Sequence, residues 1–556
     1  MSKPVNTKFA KAGRYAVIAI AVAAPVAFLA IFFLWPVVKM IAMGVVGTGI
    51  GSTSLADVLS RRRIWQVLGM TVYMAIGGTL GSVILGVPGA YVLYRLKLPC
   101  QSWLRAFVTI PFVLPVMAVA VGFSSLFGSG APLSSWGLMG TKTLVIAAMV
   151  FFNYSLVVRV VGPLWAGLDP RAEEAAAVLG ANPTRVFLTV TLPRLVPAIC
   201  SAASMVFLFC ASAYALVQIL GGPGATTLEA EIYNETVAYM DYRAAAVLSI
   251  MQLIVVVCAL TISEMLRSRV ERRHKVAVTP RPKPVRVADL PAIFITAVTV
   301  VFLLGAPLVG LVVRSLQRGG HWTIQNFLDL GDPGAASVLE TSVLNSLFIS
   351  FSTALAATAI AIAVGLTLSV VLSRRPKNRY AKQAVKILDV LFMLPLGVSA
   401  VTVGFGFLVT LSGSPLKLAT SWWLVPIAQA IVAIPMVART VLPAMRAIDP
   451  RQREAASALG ASPSRVLATI DGPYLLRTGV VAAGFAFAIS MGEFGATSFL
   501  ARPATATLPV AIYTLASRPG ATEQGMAMAA SVLLASVTAV IMIIVERLRP
   551  PNAVLM

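Results

Sequence analysis

The amino-acid sequence predicts an all-α protein that crosses a membrane about twelve times, as two parallel repeats of six helices each. Three observations predict this fold: the composition, the spacing of the apolar runs, and an internal repeat. Of the 556 residues, 58% are hydrophobic and 12% are charged, whereas a soluble domain has roughly 25% charged residues and about half apolar ones. The composition therefore excludes a water-soluble chain and favours one that lies in a membrane.

Twelve apolar runs are long enough to be membrane-spanning helices, because crossing about 30 Å of hydrocarbon takes about 20 apolar residues. The fourth run, which ends before Arg159, is the shortest, and the eleventh contains Glu493. We predict retained helices throughout, with no cleaved leader. The runs are 15–38, 64–94, 106–127, 143–158, 195–220 and 244–263 in the first half, and 290–313, 341–373, 390–413, 418–438, 478–500 and 524–545 in the second.

The basic residues predict the orientation of these spans. If the N-terminus is cytoplasmic, 33 of the 44 Lys and Arg residues lie on the inner side, as the positive-inside rule expects. The cations therefore indicate topology and attraction to anionic lipid, not binding to nucleic acid. One run disagrees, because Arg61, Arg62 and Arg63 fall on the predicted outer side; either they cap an interfacial helix or the span starts later.

The chain repeats itself at an offset of 280 residues. Between 163–195 and 443–475, 16 of 33 aligned positions are identical. Six spans per copy is an even number, so both copies have the same orientation and form a parallel repeat. We predict a first repeat at 1–266 with a cytoplasmic segment at 169–195, a basic, proline-rich cytoplasmic linker at 267–289, and a second repeat at 290–556 with a cytoplasmic segment at 449–475.

The two cytoplasmic segments predict a short exposed helix in each half. Asp169 and Asp449 can cap a helix whose first residue is a proline. Gly180 and Gly460 suit a left-handed cap at the end of that helix. A second polar cap followed by proline then starts a helix that leads back to the membrane. An exposed, alanine-rich helix of this kind is well shaped for insertion into a groove of another protein.

These segments resemble the EAA signature of ABC-importer permeases, and the whole chain resembles two such permeases fused. The second copy departs from the pattern where Gly472 replaces the usual leucine. In that family the segment is the coupling helix, which docks in a cleft of the cytoplasmic ATPase subunit. The alternative is an alanine-rich surface hairpin that was duplicated with the rest of the gene. The residues that the resemblance assigns to coupling are Glu174, Ala175, Ala176, Gly180, Glu454, Ala455, Ala456 and Gly460.

The sequence predicts no chemistry of its own. It lacks a G-x-x-x-x-G-K-[ST] phosphate loop, so the resemblance implies a separate ATPase in two copies, one for each coupling helix. His274 and His321 are too few and too isolated for a zinc site, and the four cysteines have no C-x-x-C spacing. We therefore expect no enzyme activity, no cofactor and no bound metal.

The resemblance extends to the solute. The segments 220–253 and 490–496 are similar to those of ferric-iron and thiamine permeases, which are typically fused pairs of this size. It implies a small solute delivered by an extracytoplasmic solute-binding protein, and a place in the cytoplasmic membrane of a prokaryote with both termini inside. Ferric iron and thiamine are not separated by these residues, and another solute, such as a polyamine, sulfate, molybdate or a phosphonate, is a further alternative.

Two sets of residues are candidates for contact with solute or binding protein. Glu493 lies in an apolar span, where a carboxylate is costly and usually faces a cavity, so we predict that Glu493, Phe494 and Tyr214 line the translocation path. The alternative for Glu493 is an internal hydrogen bond that braces a glycine-flanked bend. The acidic connection with Glu229, Glu231 and Glu235 could dock a basic patch of the binding protein, or be a merely solvated loop. Asp471 is expected to be a structural anchor.

A secondary transporter driven by an ion gradient is the rival class. Such a protein would be expected to carry charged pairs within several spans, and only Glu493 qualifies here. It would also leave the paired cytoplasmic segments without an explanation. The sequence therefore favours the ATP-driven importer.

Overall fold

The computed structural model describes residues 23–47, 54–270, 283–335, 338–374, 379–411 and 421–548. The start of the first predicted span, most of the predicted linker and residues 412–420 lie outside these ranges. Within them the chain is almost entirely helical, and its strands are the two-residue β1 (Gln317–Arg318) and β2 (His321–Trp322), which pair antiparallel.

The helices follow one another in two similar series. The first is α1 (Ala23–Val46), α2 (Leu55–Ser60), α3 (Arg62–Arg95), α4 (Gln101–Val113), α5 (Val116–Phe127), α6 (Lys142–Ala166), α7 (Arg171–Val178), α8 (Pro183–Ala211), α9 (Tyr214–Leu220), α10 (Leu228–Val237) and α11 (Tyr242–Val270). The second is α12 (Val287–Ser315), α13 (Gln325–Leu328), α14 (Val343–Ser373), α15 (Arg379–Met393), α16 (Ala400–Leu411), α17 (Leu424–Ala447), α18 (Pro450–Ala458), α19 (Pro463–Met491), α20 (Thr497–Leu500), α21 (Leu508–Ala516) and α22 (Ala521–Leu548).

Ten of the described helices are long and apolar enough to cross a membrane, and the bent pair α4–α5 raises the number to eleven if it counts as one span. The shorter apolar helix α16 lies within the ninth predicted run. The prediction of an all-α, polytopic membrane protein is therefore confirmed.

Several predicted spans differ in the structure, among them three in the first half. The third run is two helices that meet at 103°, because Leu114 precedes Pro115 and takes an extended conformation with ψ 141°. The fourth run does not end at Arg159 but continues to Ala166, and the Arg159 guanidinium lies over the Phe112 ring at 5.2 Å. The fifth run is interrupted after Ala211, where α8 ends.

The structure repeats contacts as well as helices. The hydroxyl of Thr71 in α3 accepts a hydrogen bond from the Leu228 N–H at 2.8 Å, where α10 begins. In the second half the hydroxyl of Ser350 in α14 accepts the Leu508 N–H at 2.6 Å, where α21 begins. Each spanning helix thus satisfies a backbone donor that the start of a helix leaves without an intrahelical partner.

Two compact units can be distinguished. One comprises residues 1–48, 344–510 and 536–556, and the other residues 49–343 and 511–535. In the first, α1 packs against α16, and Gly406 allows Pro36 to approach. In the second, α12 packs against α3 and α5, and Gly122 faces the Pro307 carbonyl. Each unit therefore contains the first helix of the other repeat.

Candidate functional site

The two predicted coupling helices are present as α7 and α18. The Asp169 carboxylate accepts the N–H two residues further on at 3.0 Å, and the Asp449 carboxylate does the same at 2.9 Å. α18 begins at its proline as predicted, and α7 begins one residue later. Both end at a glycine in the left-handed region, Gly180 with φ 81° and Gly460 with φ 83°. The predicted cap at Asp449 and the left-handed glycines are therefore confirmed, whereas Asp169 lies one residue before the N-cap of α7.

Each coupling helix is followed by a turn and a re-entering helix. The side chains of Asn182 and Ser462 cap α8 and α19, as predicted. Both helices then contain a wide π turn, at Phe187–Thr191 and Leu467–Asp471, directly before a proline-containing stretch. Because proline lacks an N–H and crowds the preceding turn, the π turn accommodates it. The second copy keeps this geometry although Gly472 replaces the usual leucine.

The far side of each coupling helix is exposed. Glu174, Ala175, Glu454 and Ala455 are exposed, whereas Ala176 and Ala456 are half-buried. Leu179 is 87% exposed and Leu459 is 90% exposed. Val178 adds a second apolar side chain in the first half. Each coupling helix thus ends in at least one apolar side chain that this chain leaves uncovered.

The near side of α7 is held by an ion cluster around Glu173. Its carboxylate accepts hydrogen bonds from the Arg95 guanidinium at 2.6 Å, from the Lys283 ammonium at 2.7 Å and from the Thr191 hydroxyl at 3.1 Å. Arg95 is buried, and it also donates to the Leu168 carbonyl at 3.5 Å. This first anchor cluster joins the end of α3, the coupling helix and the start of α8.

The near side of α18 is held by a different arrangement around Asp471. Its carboxylate, which is fully buried, accepts from the Arg453 Nε at 2.8 Å and from the Arg374 guanidinium at 2.5 Å. Arg453 also donates to the Met445 carbonyl at 3.3 Å. This second anchor cluster joins the end of α14, the coupling helix and the start of α19.

Each anchor cluster therefore places one carboxylate between two cations. In the first half the carboxylate is on the coupling helix, and in the second it is on the re-entering helix. Burial works against ionisation of Glu173, but the Lys283 hydrogen bond and the charges of Arg95 and Lys283 outweigh it and hold the pKa of Glu173 below its ordinary value. Glu173 is thus ionised at neutral pH.

Glu493 lies at the break between α19 and α20. One carboxylate oxygen accepts the Ala496 N–H at 2.7 Å, and the other accepts the Thr497 N–H at 3.0 Å. The Thr497 hydroxyl donates back to the Glu493 carbonyl at 2.9 Å, and Glu493 is buried. The bracing contacts that were one alternative from the sequence are therefore present, while a path-lining role stays a prediction.

The other two predicted path residues are also buried. Tyr214 begins α9, and its ring lies 5.8 Å from the ring of Tyr233, measured between centroids. Its hydroxyl is 3.3 Å from the Gln218 amide nitrogen. Phe494 is next to Glu493 at the helix break and is buried. Tyr214 and Phe494 thus lie at corresponding interruptions of α8 and α19, and their contact with solute is a prediction.

Comparison with protein families decides the class of the protein. The family described as "binding-protein-dependent transport system inner membrane component" matches twice, at residues 78–276 and 361–551. The chain belongs to this family. It is a permease component of an ABC importer, a multi-pass membrane protein in which two permease repeats are fused.

Individual relatives agree with this family. The chain is 26% identical over 501 residues to the thiamine transport system permease protein ThiP of Brucella abortus (strain 2308), covering 87% of this chain and 88% of that protein. It is 25% identical over 465 residues to ThiP of Escherichia coli (strain K12), covering 81% and 83%. A solved bacterial ABC transporter involved in alginate import is 14% identical, with a TM-score of 0.37 over 49% of this chain and 100% of that one.

The acidic residues predicted to dock a binding protein are not a free surface in this permease. Glu229, Glu231 and Glu235 lie on α10 and are at most 6% exposed. The Nε and Nη2 atoms of Arg63 each donate to one oxygen of the Glu231 carboxylate. Arg61 donates to the Asp241 carboxylate at 3.0 Å. The segment is therefore a packed helix and not the solvated loop that was the alternative, and Glu229 accepts a hydrogen bond from the Gln252 amide at 3.3 Å. Docking of a binding protein by these residues stays a prediction.

The same contacts account for the basic run 61–63, whose predicted position on the outer side departs from the positive-inside rule. Arg61 and Arg63 are on the predicted outer side because they neutralise carboxylates there. We call these residues, Arg61, Arg63, Glu231, Glu235 and Asp241, the outer ion cluster. Among the described residues, no group of three or more His, Cys, Asp or Glu side chains is arranged to hold a metal ion.

Reasoning from the sequence missed the first anchor cluster. In the internal repeat its residues are mismatches, since Glu173 aligns with Arg453 and Thr191 aligns with Asp471. These two differences are coupled in the structure, since together they move one carboxylate from one helix to the next. A search of the repeat for paired charge exchanges would have found them.

Proposed function

We propose that this permease imports thiamine, delivered by a solute-binding protein, and that each coupling helix receives one copy of a cytoplasmic ATPase. The observation that carries the proposal is the matched pair of exposed helices, each with its glutamate and leucine facing outward. Two equivalent docking helices suit two copies of one partner. The ATPase supplies the energy, and this chain converts its movement into opening of a path.

The relatives support thiamine as the solute. Two relatives that cover more than four-fifths of this chain are named as thiamine permeases. Ferric iron, which the sequence resemblance also admits, is tested by the ligand that the cognate binding protein retains on purification. The predicted orientation, with both termini and both coupling helices in the cytoplasm, belongs to the same proposal and follows from the positive-inside rule.

The test replaces both coupling glutamates. We expect the double variant Glu174→Ala/Glu454→Ala to abolish ATP-dependent uptake of radiolabelled thiamine into proteoliposomes that contain the permease, ATPase and binding protein. Both side chains are exposed, so the variant is expected to accumulate in the membrane as the wild type does. Glu340→Ala, an exposed glutamate outside both coupling segments, is the control. Uptake that persists in the double variant at normal abundance contradicts the proposal.

A further inference from the structure

The two anchor clusters connect the same three elements in each half. In the first half, Arg95 ends α3, Glu173 is on α7 and Thr191 is at the start of α8. In the second half, the end of α14, the coupling helix α18 and the start of α19 meet through Arg374, Arg453 and Asp471. The connection is thus repeated although its residues are not.

The residue that supplies the carboxylate differs between the two halves, and a second substitution compensates for the difference. Where the first coupling helix carries the acidic Glu173, the second carries the basic Arg453. The missing acid is supplied by Asp471, at the position of Thr191. In the first half the second cation is Lys283, the first residue of the described range 283–335. What both halves retain is one carboxylate between two cations, joining three helices.

A coupling helix needs such a connection to transmit force. α7 has eight residues and α18 has nine, and helices this short are marginal on their own. None of their residues is buried, so little apolar packing holds them. Charge-assisted hydrogen bonds are short and directional, and here they fix each helix to the ends of two spanning helices.

We propose that Glu173 with Arg95, and Asp471 with Arg453 and Arg374, are positioning residues that transmit movement of the coupling helices to the spanning helices. This inference rests on the proposed docking of an ATPase on each coupling helix. In this proposal the positioning residues act through the coupling helices and not by binding solute or ATPase. Their loss therefore uncouples hydrolysis from transport and leaves the exposed docking face intact.

The experiment measures thiamine transported per ATP hydrolysed by the complete assembly in proteoliposomes. Glu173→Gln and Asp471→Asn remove one negative charge from each cluster with little change of shape. We expect each to lower the ratio at least about fivefold, the lower end of typical allosteric coupling. The ATPase is expected to co-purify at the wild-type ratio. Asp389→Asn, which breaks the exposed pair with Arg446, is the control and is expected to have no effect.

A transplant separates positioning from simple structural support. The triple variant Glu173→Arg/Thr191→Asp/Lys283→Met gives the first half the charges of the second. We expect it to restore transport per ATP to near the wild-type value. If Glu173→Gln fails to accumulate in the membrane, the triple variant still tests the inference. It is expected both to accumulate and to couple ATP hydrolysis to transport.

Two results would overturn the inference: an unchanged ratio in Glu173→Gln and Asp471→Asn, or a triple variant as impaired as Glu173→Gln. Loss of the co-purifying ATPase in the single variants would also contradict it, because docking would then depend on the anchors. A wild-type assembly that hydrolyses ATP without moving thiamine contradicts the proposed solute instead. The ratio is then measured with the ligand that the binding protein retains.

Discussion

The ends of the two repeats that carry the coupling helices, which the proposed orientation makes the inner ends, are far more alike than the opposite, outer ends. α7 and α18 share caps, exposure and a three-helix anchor. At the opposite ends, α10 carries Glu229, Glu231 and Glu235, whereas the equivalent positions of α21 are Pro509, Ala511 and Leu515. The first outer helix is held by ion pairs, and the second by apolar packing that includes buried Ala511 and Leu515.

This difference follows from the partners that the proposed function assigns to each end. Two copies of one ATPase require two equivalent docking helices, so the inner ends are expected to keep their symmetry. A single binding protein sets no such requirement, and the outer ends are free to differ. Even at the inner ends the individual residues of the anchor clusters differ between the halves. What is retained there is the connection between the three helices.

The largest effect is expected at the outer ion cluster. Arg63→Met leaves the Glu231 carboxylate, which is fully buried, without its main partner. Removing one partner of a buried pair costs about 3–5 kcal/mol, and because Arg63 is half-exposed we expect a loss at the lower end of that range, about 3 kcal/mol. The apparent melting temperature of the detergent-solubilised permease measures it.

The neighbouring arginine provides the control. Arg62→Met removes an exposed cation one residue away and is expected to leave the melting temperature unchanged. Equal effects of the two substitutions would show that the outer ion cluster does not stabilise the first repeat. No equivalent sensitivity is expected in α21, whose corresponding positions carry no charge.

A smaller effect is expected from Lys283→Met, which removes the cation that is particular to the first half. Lys283 is partly exposed and Arg95 remains in place, so the loss is expected to be roughly 0.5–1 kcal/mol. The backbone of Lys283 still pairs with Arg95 and Lys97. Thiamine transported per ATP is expected to fall less than in Glu173→Gln, and Arg286→Met serves as the control. An effect as large as that of Glu173→Gln would make Lys283, not Arg95, the main partner.

The low pKa of Glu173 sets the pH range of these measurements. A carboxyl group whose pKa is lowered by folding stabilises the protein above its unfolded pKa of about 4.3 and loses that contribution only as the pH falls through the folded value. The folded value is below the ordinary one. The contribution of Glu173 is therefore constant across the neutral range in which uptake is measured.

Hydropathy predicted most of the fold because apolar length decides which helices span a membrane. It did not predict the sharp bend before Pro115, which depends on local backbone sterics. It also did not predict that α6 continues past Arg159, whose guanidinium makes a cation–π contact with the Phe112 ring. It also gave no sign that α1 packs against α16 and α12 against α3 and α5. Helices with similar apolar surfaces can pack in several ways, and a single sequence does not distinguish them.

The coupling helices were predictable to within one residue at their starts because capping is local chemistry. Asp449, Gly180 and Gly460 act as their residue types suggest. The charged residues were not predictable in the same way. Glu231 looked exposed because its partner, Arg63, is 168 residues away, and Glu173 looked unremarkable because its partners come from α3 and from a segment 110 residues further on. Long-range pairing is what a linear reading lacks.

Cross-linking can show whether both coupling helices contact an ATPase, as proposed. In a chain whose four native cysteines are replaced by serine, Leu179→Cys and Leu459→Cys each place a thiol at the exposed end of a coupling helix. We expect each single variant to cross-link to one ATPase subunit and the double variant to cross-link to two. Cross-linking at neither position, or labelling of both thiols by a membrane-impermeant reagent from outside the cell, would contradict it.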